Sequence, residues 1–215
     1  MKNGELDFVM QEPPVHLKFI DQYNPDSLLR TLTWEGKPFQ SGVVVVRNDS
    51  DVKNLADLKG RSVMFGPKVS SARWLAAKLL FQESGIDIDT KLKTYSNGEC
   101  CEDIAFNVCL KAVDAGVICD HFLSEHSNKQ RKLGFDAKQL VVIGMTRPVP
   151  TKVFTANRKV PPDIVARVNQ ALLSLDIKID AHRKILKAAE LSGFLKTDKK
   201  DWSDMKALLK SIAAE

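Results

Sequence analysis

The run Val63-Met64-Phe65-Gly66-Pro67-Lys68-Val69-Ser70-Ser71-Ala72-Arg73-Trp74 holds the residues whose types and spacing best fit a chemical task. A short apolar, β-branched stretch ends, Gly66-Pro67 forces a turn, and two serines open a helical pattern. The first N–H groups of a helix have no internal partner, and the helix dipole places partial positive charge on them. The Ser70, Ser71 and Ala72 N–H groups, with the two serine hydroxyls, therefore read as a cradle for an anion that needs no cationic side chain. Lys68 would add charge without shape. Serine is also a preferred N-cap, so capping of the helix is the structural alternative for the same residues. The segment is not a Walker A loop, because no Gly-Lys-Ser/Thr follows, and it is not a GxGxxG turn.

The other reactive side chains form weaker patterns. Cys100, Cys101, Cys109 and Cys119 are too few for a disulfide scaffold, and they contain no CxxC. Cys100, Cys101, Cys119 and His121 match no recurring metal-ligand spacing, so no metal is expected. Cys101, His121 and Asp120 could be drawn as nucleophile, base and orienter, but no local signature supports a catalytic set, and no enzyme is expected. Asp120 follows a predicted strand at 115–119 and so falls at the carboxyl end of its sheet, where α/β folds bind ligands. There it would orient a ligand hydroxyl or amine, or else cap the next helix.

The chain has 215 residues, 44% of them hydrophobic and 27% charged, the composition of an ordinary globular protein. Lys+Arg 32 less Asp+Glu 27 leaves a charge of +5, a mild bias that suits anions. Much of the excess lies after Lys178, where lysines decorate solvated helix faces. Basic residues are not interleaved with aromatics, so nucleic acid is not expected as a partner. No apolar run approaches the ~18 residues of a membrane span. The opening Met-Lys-Asn-Gly-Glu-Leu-Asp-Phe-Val-Met lacks the pattern of a signal peptide.

The elements that must position these groups alternate between strand and helix. Strands are expected at 43–46, 61–65, 92–96, 115–119, 140–145 and 152–156. Helices are expected at 70–84, 102–113, 121–133, 162–175, 180–191 and 201–213. The alternation predicts an α/β fold with mostly parallel sheet. Residues 55–139 close on themselves as one lobe, and residues 1–54 plus 140–215 form the other. The strands at 43–47 and 140–145 are read as the connections between lobes, passing close to each other. Clefts between such lobes are common ligand sites.

In order and spacing the chain resembles the substrate-binding proteins of phosphate, phosphite and phosphonate ABC transporters, within the type II periplasmic binding proteins. Gly4-Glu5-Leu6-Asp7 followed by Pro13 is similar to the family's G-x-x-D … G-P … Y segment. Gly36-Lys37 and the run from Val43 to Ser50 resemble its hairpin and crossing strand. Leu55-Ala56-Asp57-Leu58-Lys59-Gly60 is similar to its L-x-D-L-K-G turn, and Pro67 to Ala72 stands where the family carries P-x-S-T-S-G. Val113-Asp114-Ala115-Gly116-Val117, Val160-Pro161-Pro162 and Leu173-Ser174-Leu175-Asp176 match later segments.

The chain also departs from that pattern. Val69-Ser70-Ser71 replaces Ser-Thr-Ser, Ala72 replaces glycine, and His16 and Glu12 replace a tyrosine and a glycine. Cys100-Cys101-Glu102 occupies the place of a histidine. The family's opening strand, helix and strand have no counterpart, so the first lobe is expected to be incomplete, with a homodimer or another partner covering its bare face.

The resemblance implies a two-lobed, non-enzymatic protein without a cofactor that closes on a small oxyanion of the phosphonate, phosphite or phosphate class. Lys68, Ser70, Ser71, Ala72, Asp120 and His16 would form the site, with His16 closing from the other lobe. An ABC permease or a sensor protein is the implied partner, and the periplasm or cell envelope the implied location. The same fold also serves ligand-sensing domains, which is the alternative reading.

Overall fold

The computed structural model describes residues 6–24, 28–123 and 136–197, together with 203, 205–207 and 210. Most of the expected helices at 121–133 and 201–213 lie outside the described residues. The chain divides into two compact units, one taking in residues 1–39 and 150–206 and the other residues 40–149.

The second unit is built on a five-stranded sheet. Its strands are β4 (Gly42–Arg47), β5 (Ser62–Phe65), β6 (Thr94–Asn97), β7 (Ala115–Cys119) and β8 (Leu140–Met145), in the order β6-β5-β7-β4-β8. Only β5, β6 and β7 run parallel. The helices α2 (Ala77–Glu83) and α3 (Cys101–Cys109) follow β5 and β6 in the chain and return it in the same sense. β4 reaches β5 through a short 3-10 turn, Leu55–Leu58, rather than a crossover helix, and it is antiparallel to both β7 and β8. The expectation of a mostly parallel sheet is corrected accordingly.

The strands at 43–47 and 140–145 are paired with each other, but as members of this sheet. Their hydrogen bonds put residues 40–54 and 140–149 in the second unit, and not with residues 1–39.

Four consecutive valines explain why β4 is central. Side chains alternate across a strand, so Val44 and Val46 enter a core with Val63, Phe65, Trp74, Leu75, Phe81 and Ile86. Val43 and Val45 enter a second core, with Ile104, Ala105, Val108 and Ile118. All four are at most 2% exposed. An unbroken β-branched run is the pattern of a strand covered on both faces.

The first unit carries an all-antiparallel sheet of β1 (Phe8–Gln11), β2 (Leu29–Leu32), β10 (Val153–Ala156) and β11 (Gly193–Lys196), in the order β1-β10-β2-β11. A two-stranded ribbon of β3 (Phe39–Gln40) and β9 (Val149–Pro150) carries the chain through both unit boundaries. Pro161-Pro162 opens α4 (Pro162–Leu173), proline being welcome where N–H groups have no partner. Val165 on α4 is buried with Ala156 and Val160, while Ile164, Val168 and Leu172 are only half-buried. α5 (Asp180–Ala188) follows and buries Leu186. The short helix α1 (Pro13–Lys18) contains His16.

Candidate functional site

The carboxyl ends of β5, β6 and β7 stand side by side with the start of β4 and the end of β8. Gly66, Asn97, Asp120, Ser41 and Thr146 are thereby collected at one sheet edge from segments far apart in sequence. Asn97 Nδ2 donates to the Gly66 carbonyl at 2.6 Å. The Gly42 N–H donates to Thr146 Oγ1 at 2.8 Å, and the Thr146 N–H returns a bond of 2.8 Å to the Gly42 carbonyl.

After Phe65 the chain turns through Gly66-Pro67, and the Ser70 N–H closes the turn on the Pro67 carbonyl at 2.8 Å. The expected helix then starts as a π-helical turn, Ser71–Ala76, before α2. The Ser70 carbonyl accepts both the Trp74 N–H at 3.3 Å and the Leu75 N–H at 3.1 Å, which widens the turn. Such π-turns recur at functional sites.

Ser70 Oγ accepts the Arg73 N–H at 3.3 Å, so this hydroxyl does cap the turn while its own O–H is left to donate. Ser70, Ser71 and Ala72 are buried, and Lys68 is exposed. Gly42 lies against this turn: a Cβ on it would come within 2.6 Å of the Ala72 carbonyl oxygen.

Asp120 is fixed from two sides. Its Oδ2 accepts the Ser41 N–H at 3.2 Å and its Oδ1 accepts the His121 N–H at 3.0 Å, with His121 Nδ1 3.4 Å from Oδ1. Burial opposes its ionisation, but the hydrogen bonds from His121 and Ser41 outweigh burial and hold the carboxyl below its ordinary range. A permanent carboxylate here repels an anion and attracts a ligand hydroxyl or amine.

Arg73, quoted in the motif but given no role by its spacing, turns out to matter. Its side chain crosses Gly66, where a Cβ would come within 2.5 Å of Arg73 Cβ and 3.1 Å of its Nε. Its Nε and Nη1 are buried and make no hydrogen bond among the described residues. A buried donor without an acceptor is costly, more so when it carries charge. The available signal was its place three residues after the capping serine, in the same turn. Ser41 and Thr146 carry no comparable signal.

Cys100 caps α3, its Sγ accepting the Asp103 N–H at 3.4 Å. Cys101 Sγ accepts the Cys119 N–H at 3.3 Å. The Cys101 thiol is brought down to about 7, first by a hydrogen bond from the Cys119 thiol, against the opposing effect of burial. The charges of Arg73 and His121 and the Cys119 N–H act in the same direction. Among the described residues no three His, Cys, Asp or Glu gather as a metal site.

His16 belongs to the first unit. It is 3% exposed, in α1, and stacked on Tyr23 with ring centroids 4.9 Å apart. Burial pulls its imidazole down to about 4, so it is neutral at pH 7. A groove of about 700 Å³ in the same unit is lined by Leu29, Asn169, Leu173 and Lys196 among others, and includes none of the expected site residues.

A family model described as the periplasmic substrate-binding protein of phosphonate ABC transporters matches residues 1–202. No curated protein matches the chain. Among solved structures, PhnD1 from Prochlorococcus marinus, in complex with methylphosphonate, is 18% identical with a TM-score of 0.82, covering 99% of this chain and 80% of its own. The binding-protein component PA3383 of a phosphonate ABC transporter from Pseudomonas aeruginosa is 16% identical with a TM-score of 0.80, covering 97% and 69%. XAC2383 from Xanthomonas citri, bound to ATP, is 18% identical with a TM-score of 0.77, covering 99% and 80%. At these identities the likeness to solved structures is one of fold. Among the described residues no helix is long and apolar enough to cross a membrane.

Proposed function

Because the chain belongs to the periplasmic substrate-binding proteins of phosphonate ABC transporters, we propose that it binds a small phosphonate, phosphite or phosphate and presents it, chemically unchanged, to a transporter permease. The observation that carries this reading is the turn from Ser70 to Arg73. Two buried hydroxyls and the N–H groups at the head of a π-helical turn share that turn with Arg73, whose buried Nε and Nη1 make no hydrogen bond among the described residues. A tetrahedral oxyanion offers several acceptors to such donors, and charge-assisted hydrogen bonds are the strong ones. Ser70, Ser71 and the Ala72 N–H would hold the anion, Lys68 would add exposed charge, and Asp120 would meet a protonated oxygen or an amine on the ligand. Family membership favours uptake over the use of the fold as a sensing domain.

Calorimetric titration of the intact chain with methylphosphonate, 2-aminoethylphosphonate, phosphite, phosphate and sulfate tests the reading. Saturable binding to at least one of the phosphorus oxyanions, tighter than to sulfate, is expected. Binding to none of them, or to sulfate alone, overturns it.

A further inference from the structure

Two sulfur groups at the same sheet edge are left unused by this reading. Cys119 is the last residue of β7 and Cys101 the first of α3, and both are half-buried. The Cys119 N–H reaches Cys101 Sγ at 3.3 Å. Each element is held by packing: Ile104, Val108 and Cys109 of α3 and Ile118 of β7 share one core. The two residues are therefore presented to each other on rigid supports, and a disulfide requires their sulfurs to close to about 2.0 Å. The charge of Arg73 acts on Cys101 from the neighbouring turn and favours its thiolate. The family to which the chain belongs is periplasmic, and bacterial periplasm is a compartment in which disulfides form and persist.

We propose that Cys101 and Cys119 are a reversible thiol–disulfide pair, with Cys101, whose sulfur the Cys119 N–H already meets, as the attacking sulfur. The co-reactant is a small-molecule disulfide. The Cys101 thiolate attacks one of its sulfurs, forming a mixed disulfide and expelling one thiolate. Cys119, having given its proton to solvent, attacks Cys101 Sγ and expels the second. Two protein thiols are oxidised, one disulfide is reduced to two thiols, and the two protons released end on the leaving sulfurs. Cys100, exposed and engaged as a helix cap, and Cys109, buried in the core beneath α3, stay outside the exchange.

The experiment equilibrates the Cys100→Ser chain with reduced and oxidised glutathione at several ratios, blocks free thiols and maps the peptides by mass. A Cys101–Cys119 link that appears and disappears with the ratio is expected. No link at any ratio, or a link involving Cys109, overturns the pairing.

The influence of Arg73 on Cys101 is read from the pH dependence of Cys101 alkylation. The groups facing Cys101 are Cys119, Arg73 and His121, with Asp120 against His121. Replacing Arg73→Met should shift the midpoint upward, and an unchanged midpoint shows that its charge does not act on Cys101. On the anion reading above, closing the bond takes a negative charge away from Arg73, and the oxidised chain should bind methylphosphonate more tightly than the reduced one. Equal affinity with the link in place counts against Arg73 as an anion contact and leaves the thiol pair standing.

Discussion

Replacing the two serines separates their structural task from the proposed functional one. Ser70 Oγ accepts the Arg73 N–H at 3.3 Å, so Ser70→Ala should lower stability by about 1 kcal/mol, the usual loss for an N-cap. Binding should suffer more. A hydroxyl that donates to a charged oxygen contributes about 1.5–3 kcal/mol. The Ser70 hydroxyl already accepts a bond in the free protein, and the lower figure is taken for each. The Ser70→Ala, Ser71→Ala chain should then bind methylphosphonate about 3 kcal/mol more weakly, a loss of more than ~100-fold. Lys68→Ala is the control. Its ammonium is exposed, so its effect should be smaller and should fade as salt is raised. Calorimetry at low and high salt, with a thermal melt of every variant, keeps lost binding apart from lost folding. A folded double variant that binds as tightly as the parent would refute the assignment of the anion to this turn.

Three further outcomes follow from the packing. His16 falls from an ordinary value of 6.5 to about 4 in the folded chain, so between those values the unfolded chain binds a proton that the folded one does not. Stability should drop by about 2–3 kcal/mol as pH falls through that window and level off below it. A His16→Phe chain, which keeps the stack on Tyr23, should lose that part of the pH dependence in urea melts, and parallel curves for the two proteins would contradict the burial argument. Gly42→Ala drives a Cβ to 2.6 Å from the Ala72 carbonyl oxygen; it should cost about 1–3 kcal/mol and abolish anion binding, whereas an unperturbed variant would show that the turn is not wedged there. Phe65 is fully buried, with its ring centroid 5.5 Å from that of Trp74 and 5.2 Å from that of Phe81. Phe65→Ala should therefore cost about 3–5 kcal/mol, measured as a shift of the urea midpoint, and a loss below about 1 kcal/mol would not fit a closed core.

Much of the architecture was legible because it is local. Four adjacent valines dictate a strand buried on both faces. Gly66-Pro67 followed by two serines dictates a strand, a turn and a capped helical start. Pro161-Pro162 marks the opening of α4. Local pattern says nothing of strand direction, and the antiparallel pairing of β4 with β7 and β8 emerged only from contacts between residues about 70 to 100 positions apart. The same limit governs the site. Spacing offered Ser70, Ser71 and Ala72 as donors, but the widened turn that makes Ser70 both a cap and a donor depends on how Trp74 and Leu75 pack against Phe65 and Phe81. No periodic pattern around His16 marks it as buried; burial in α1, where it stacks on Tyr23, makes it neutral. Arg73, Cys101 and Cys119 come from three separate elements, and the parallel order of β5 and β7 brings the ends of those elements together. Sequence determines which groups a chain carries and the elements they sit on. Which of those groups share one low-dielectric edge, and so shift one another's charge, is decided by sheet order.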